Sequence, residues 1–196
     1  MQIVLDYFQN NILESIAAFF GLLYLFLAAK QNYLCWISGI INVTIFGWIF
    51  YHEKIYANMF LQIIYFLLSI YGFYAWVTKK KGQKAIISKM DTSFRGLIVI
   101  TIVILTAATY LVLQKTNSDM LFADALTAAA GIVATWMQAR KYIENWLIWI
   151  PTDLLLTYLF FSHGLYITAS LFGIYTIIAV YAYFKWNKDL KNTQKC

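Results

Sequence analysis

Trp146, Trp149 and Asp153 are the residues of this chain best suited to chemistry. They are spaced i, i+3 and i+7, so on a helix they share one face. Two indole rings beside a carboxylate form a receptor for a flat organic cation, because ring faces attract cations and Trp does so best. An aromatic belt at a membrane interface is the alternative, and it fits Trp146 better than Trp149, one turn deeper. Asp153 sits in the apolar run Trp-Ile-Pro-Thr-Asp-Leu-Leu-Leu. At bilayer depth a carboxylate costs about 2.5–3.5 kcal/mol, and such groups face a polar path or bond to a neighbouring helix. Pro151 lacks an N–H for the carbonyl of Leu147, so it is expected to bend or loosen the helix between the tryptophans and the acid.

Fewer polar groups occur elsewhere in the apolar runs. Asn42 and Gln62 lie deep in the first half, and Gln62 and Tyr65, three apart, can face one cavity. Hydrogen bonding between helices is the alternative role for such amides. Asn58, Gln138, His52 and His163 fall closer to the ends of their runs. Glu144 and Asn145 open the run that holds Trp146, where either could cap a helix. Small residues from Ala123 to Thr135 point to close helix packing. The chain has no phosphate-binding glycine loop, no dinucleotide fingerprint, no zinc-type histidine spacing and no nucleophilic triad. An enzyme is therefore not expected, and neither a cofactor nor a metal is implied.

The elements that hold these residues are membrane helices. The 196 residues are 62% hydrophobic and 12% charged, with one proline and nine glycines. Soluble domains carry about 25% charged residues. Seven runs reach the roughly 20 apolar residues that a bilayer crossing takes: 11–29, 34–51, 57–77, 95–113, 121–139, 145–162 and 165–185. Each must be helical, since lipid cannot satisfy free backbone groups. The one longer connection, 78–94, is rich in lysine. The net charge of +6 lies in the short segments between runs, so it speaks for orientation and not for a nucleic-acid partner. With Asp6 and Glu14 near the start, a cleaved signal peptide is not expected. Cys35 and Cys196 form no metal or disulfide framework.

Moving Ala18 onto Ala128 lays the chain onto itself without a gap. Gly21 meets Gly131, Trp36 meets Trp146, Tyr65 meets Tyr175 and Trp76 meets Trp186. A duplication of roughly 65 residues in so apolar a chain is the mark of a transporter built from repeats. The single membrane domain, 1–196, thus divides into repeat one at about 11–77, a linking helix at about 95–113 and repeat two at about 121–186. Three helices followed by their copy would invert it, and the linking helix at 95–113 restores the direction, so the repeats are expected to run parallel. Lys30, Lys79, Lys80, Lys81, Lys84, Lys89, Arg95, Arg140, Lys141, Lys185, Lys188, Lys191 and Lys195 fall on one side, against Lys54 and Lys115 on the other. The basic side is cytoplasmic, which puts the N-terminus outside and the C-terminus inside a bacterial inner membrane.

The repeat fails where the chemistry is. The counterparts of Trp149 and Asp153 are Gly39 and Val43, that of Gln62 is Phe172, and that of Asn42 is Thr152. One site lined unequally by two halves explains this. The segment Glu144-Asn145-Trp146-Leu147-Ile148-Trp149-Ile150-Pro151-Thr152-Asp153 resembles the signature of the PnuC family of vitamin transporters. Tyr56-Ala57-Asn58-Met59-Phe60-Leu61-Gln62-Ile63-Ile64-Tyr65, followed by Tyr71-Gly72-Phe73-Tyr74-Ala75-Trp76, is similar to the family's first-repeat pattern, although Asn58 replaces a more usual acid. The resemblance implies an all-α membrane fold of seven helices in a three-one-three, SWEET-like layout, assembled as a homotrimer. It implies facilitated uptake by alternating access, without a coupling ion, driven by a cytoplasmic kinase that phosphorylates the vitamin. Trp146 and Trp149 are then implied for the aromatic ring, with Gln62, Tyr65, Asn42, Asn145 and Asp153 around it. Nicotinamide riboside and thiamine, both cations, suit two indoles and an acid better than neutral riboflavin does. Nicotinamide riboside comes first. A membrane packing protein whose polar groups only join helices is the reading from a different class.

Overall fold

The structure, a computed structural model, describes residues 12–78, 86–114 and 120–193. These form seven helices: α1 Ile12–Ala29, α2 Leu34–His52, α3 Tyr56–Val77, α4 Thr92–Leu113, α5 Leu121–Ala139, α6 Asn145–Ser162 and α7 Tyr166–Thr193. Every apolar run expected from the sequence is a helix. Two ends differ. α4 begins at Thr92 and not at 95, which takes Arg95 into its first turn. α7 continues past 185 to Thr193, because Trp186 and Leu190, one turn apart, stay buried while Lys188 between them faces out. Lys79, Lys80, Lys81, Lys84, Lys115, Lys195 and Cys196, which enter the charge and cysteine arguments, lie outside the described residues.

Among the described residues, six helices are long and apolar enough to cross a membrane. α6 is less apolar, since it carries Asn145, Thr152 and Asp153, all buried. Its 18 residues still span roughly 27 Å at 1.5 Å per residue. α6 runs through Pro151 as one helix. The Pro151 ring faces outward while Thr152 and Asp153 face in.

The main helix contacts make a ring, α1–α2–α3–α5–α6–α7 and back to α1, with α4 outside against α5. α5 packs the most tightly, burying Ala125, Ala129, Ala130, Gly131, Ala134 and Ala139. Small side chains let neighbouring backbones come close, which substitutes for a hydrophobic drive that lipid does not supply.

The driest packing lies at one end, where the C-termini of α1, α3, α5 and α7 meet the starts of α2, α4 and α6. Trp36 meets Trp76 edge-on at 5.4 Å, Trp146 meets Trp186 edge-on at 5.5 Å, and Trp76 and Trp186 lie 6.3 Å apart. All four are buried, and Cys35 lies among them as a buried free thiol. Trp76 Nε1 donates to Ala139 O at 3.1 Å and Trp186 Nε1 to Ala28 O at 3.2 Å. Each indole therefore ties the last turn of a helix from the other half of the chain.

Turn geometry is paired in the same manner. Gln31 and Lys141 follow α1 and α5 with φ of +56° and +59°. Behind them Asn32 N bonds Leu27 O at 2.9 Å and Tyr142 N bonds Met137 O at 3.0 Å, closing the helices with a left-handed residue. At the opposite end, Lys54 and Gly164 have φ of +59° and +77°.

Residues 86–91 run across the basic end. Ser88 N bonds Lys141 O, and Ile143 N bonds Ser88 O, both at 3.1 Å. Ile87 is buried beside the four tryptophans. The Glu144 side chain does not cap α6. Its two carboxylate oxygens accept the Met90 N–H at 3.2 Å, and one pairs with Arg95 at 3.3 Å.

Candidate functional site

The site is built where two helix pairs cross at mid-depth. Gly131 of α5 lies so close to the Tyr65 hydroxyl of α3 that no side chain fits between them. A methyl at that position would also meet Trp149 Cη2 at 3.4 Å. Tyr65, Gly131 and Trp149 therefore form one wall. The mirror arrangement joins α7 to α1, where a methyl at Gly21 would lie 2.6 Å from the Tyr175 hydroxyl and 3.1 Å from Asn42 Nδ2. Asn42 is fixed there by donating to Ala17 O at 2.7 Å.

Asp153 of α6 is buried at the same depth. It is 3% exposed. Its carboxyl lies within electrostatic range of both Tyr65 and Tyr175. Gly21, Asn42, Gly131 and Asp153 each fall near the middle of their helices. No Lys or Arg occurs at that depth in any of the seven helices. The Trp149 Nε1, about one helical turn from Asp153, is buried without a hydrogen-bond partner. Buried polar groups are nearly always satisfied, so an unpaired donor near a buried acid marks a place for a polar ligand or water.

The structure thus brings Trp149, Asp153, Tyr65 and Asn42 towards one centre. It does not bring all the expected residues there. Trp146 is fully buried against Trp186 at the basic end. Its azimuth matches that of Asp153, but seven residues of helix separate them by about 10 Å. Asn145 is also fully buried at that end, where its Nδ2 donates to Tyr142 O at 2.6 Å. Gln62 borders a separate cavity of about 250 Å³ between α2 and α3, beside Val43, Gly47, Met59 and Phe66.

Tyr175, Gln138 and Tyr24 enter from outside the sequence-based set. Tyr175 was legible as the repeat partner of Tyr65. Gln138 is one residue from the end of α5, which made it read as interfacial, yet it is fully buried beside the Tyr24 hydroxyl. Tyr24 packs edge-on against Trp36 at 5.8 Å, and its ring lies 3.1 Å from a methyl built at Gly39. The equivalents of Tyr24 and Gly39 are Ala134 and Trp149. The large ring is therefore supplied by α1 in one half and by α6 in the other. This exchange is the local reason that the site is one-sided.

A sequence profile of the nicotinamide mononucleotide transporter family matches residues 11–188. The chain is a member of that family. It is a family of membrane transporters, not of enzymes. The chain is 27% identical over 195 residues to the nicotinamide riboside transporter PnuC of Escherichia coli strain K12, covering 86% of this chain and 82% of that one. It is 24% identical over 189 residues to the riboflavin/roseoflavin transporter RibM of Streptomyces davaonensis, covering 91% and 87%. Its fold matches a crystal structure of the vitamin B3 transporter PnuC with a TM-score of 0.75 at 23% identity, over 97% of this chain and 87% of that one. The seven described helices therefore share the fold of that structure.

Proposed function

We propose that this protein carries a cationic vitamin, nicotinamide riboside first, across a bacterial inner membrane by alternating access. The observation that carries the reading is the mid-depth cluster of Trp149, Asp153, Tyr65 and Tyr175, in a chain whose relatives include a nicotinamide riboside transporter. Trp149 offers an aromatic surface and Asp153 a counter-charge to a pyridinium ring. The tyrosine hydroxyls and Asn42 offer bonds to ribose hydroxyls. Trp146, Asn145 and Gln62 take supporting roles: Trp146 and Asn145 hold the α6 start, and Gln62 lines the cavity between α2 and α3. A mononucleotide would bring a phosphate dianion to a depth that holds an acid and no cationic side chain, which disfavours it. Thiamine shares the cation and stays the alternative. Riboflavin, supported by the likeness to RibM, is neutral and gains nothing from Asp153.

The same reading makes the chain two parallel three-helix repeats joined by α4, in a three-one-three order like that of SWEET transporters. Supporting it are the paired contacts 110 positions apart: Tyr65 on Gly131 with Tyr175 on Gly21, Trp36 on Trp76 with Trp146 on Trp186, and Lys141 on Gln31. The end that gathers Lys30, Arg95, Arg140, Lys141 and Lys188 is assigned to the cytoplasm, which leaves the N-terminus outside. Uptake is drawn inward by a cytoplasmic vitamin kinase, and the protein works as a homotrimer.

Thermal shift of the detergent-purified protein with nicotinamide riboside, thiamine, riboflavin and nicotinamide mononucleotide tests the substrate, since a ligand of the folded state raises Tm. The expected order places nicotinamide riboside first and the mononucleotide last. Trp149→Ala is expected to remove the shift while the unliganded Tm stays close to wild type. No shift with any of the four, in protein that elutes as a single folded species, would leave a helix-packing role in place of transport.

A further inference from the structure

The turns that follow α1 and α5 meet each other. Lys141 Nζ donates to Gln31 Oε1 at 3.1 Å, and Gln31 Nε2 donates to Asp189 Oδ2 at 2.8 Å. The Lys141 ammonium also sits 4.5 Å over the Trp76 ring. Lys141 is only 6% exposed, although lysine is almost never buried unless paired. Its pairing here is an amide, an indole face and, through Gln31, a carboxylate on α7. Both turns hold a side-chain-bearing residue at positive φ, so the two side chains are aimed by backbones that lysine and glutamine rarely adopt.

The network lies over the four tryptophans at the basic end, on the far side of them from the mid-depth site. From Gly21 to Ala29 is eight residues of helix, roughly 12 Å, and the level of Ala28 and Ala29 is filled by the four buried tryptophans. Anything held beside Asp153 can leave by this end only if the two halves part there. Parting breaks the Lys141–Gln31–Asp189 chain, the Lys141 contact with Trp76 and the two indole bonds to Ala139 and Ala28. The indole bonds belong to a dry core. The Lys141–Gln31–Asp189 chain is polar and lies at the rim, so water can compete for it first.

We infer that Lys141, Gln31 and Asp189 form a latch that holds the basic end of the protein closed, and that its opening admits water and releases the carried molecule. The inference rests on the transport reading for its purpose, but the latch itself can be measured without a ligand. Cys35 is the reporter. It is fully buried among the tryptophans beneath the latch. In a Cys196→Ser background it is the chain's one thiol.

The experiment follows the rate at which a water-soluble maleimide modifies Cys35 in the purified full-length protein. Gln31→Leu removes both hydrogen bonds of the latch and should speed modification about tenfold, the factor expected when one or two net hydrogen bonds are lost from a local opening. The double exchange Gln31→Lys with Lys141→Gln restores an amide–ammonium pair and adds a direct bond to Asp189, and should return the rate to that of the parent. If Gln31→Leu does not survive purification, Asp189→Asn, which keeps the Lys141–Gln31 bond, carries the same test with a smaller expected increase. An unchanged rate in folded Gln31→Leu overturns the latch. So does a raised rate that the double exchange fails to correct, because the side chains would then act only through packing. Failure of vitamins to bind, with Cys35 still released by Gln31→Leu, would overturn the transport reading and leave the latch standing.

Discussion

Replacing Gly131 with alanine separates the site from the scaffold. The new methyl would overlap the Tyr65 hydroxyl and touch Trp149 Cη2 at 3.4 Å. The hydroxyl must retreat by about 1 Å to reach an ordinary carbon–oxygen separation. It is the tip of a side chain, so the fold can yield, at a cost of about 1 kcal/mol. Alanine in a helix interior gains about 1 kcal/mol over glycine. The two nearly cancel, and Tm should stay within about 4 °C of wild type. Binding has no such compensation. A displaced Tyr65 forfeits a hydrogen bond to the ligand worth about 1.5 kcal/mol, which is roughly tenfold in Kd. Titration calorimetry with nicotinamide riboside measures this. Gly96→Ala is the control, since a methyl there meets nothing within 4 Å. Gly21→Ala, which crowds Tyr175 and Asn42, should weaken binding to a similar degree. If folded Gly131→Ala binds within twofold of wild type, the wall formed by Tyr65 and Trp149 is not the ligand site.

Three further outcomes follow from the scaffold. Trp186→Phe keeps most of the aromatic packing but leaves the Ala28 carbonyl without its indole donor, and should lower stability by about 1–2 kcal/mol in a denaturation series. Lys54→Gly relieves a left-handed lysine and should raise Tm, whereas Gly164→Ala imposes the same strain and should lower it, each by about 1 kcal/mol. Glu144→Gln weakens an Arg95 pair in which Arg95 is half exposed, so the ion pair itself contributes under about 1 kcal/mol. Its larger effect should be faster hydrogen exchange at Met90, whose N–H loses a carboxylate acceptor.

Much of the architecture was legible in the residues. Apolar runs of bilayer length have little choice but helix, so the seven spans agree with the structure to within a few residues. The departures occur where burial overrides hydropathy. α7 outlasts its apolar run because Trp186 and Leu190 keep packing on the core. Glu144 looked like a helix cap, and its carboxylate instead reaches a segment 54 residues away. Side-chain reach to a distant backbone leaves no trace in local spacing.

The sequence by itself determined the membrane class, the helices, the duplicated pattern and residues that break it, Trp149 and Asp153 among them. These depend on composition and periodicity, which are local. Only the tertiary structure decided which of two tryptophans three residues apart faces the buried acid. Trp146 and Asp153 share an azimuth, but the rise of the helix carries Trp146 about 10 Å away, into the grip of Trp186. It also decided that Tyr65 closes on Gly131 and Tyr175 on Gly21, and that Gln31 meets Lys141. Those contacts join helices from different halves of the chain, and a helix's own pattern says which face is buried without saying what covers it.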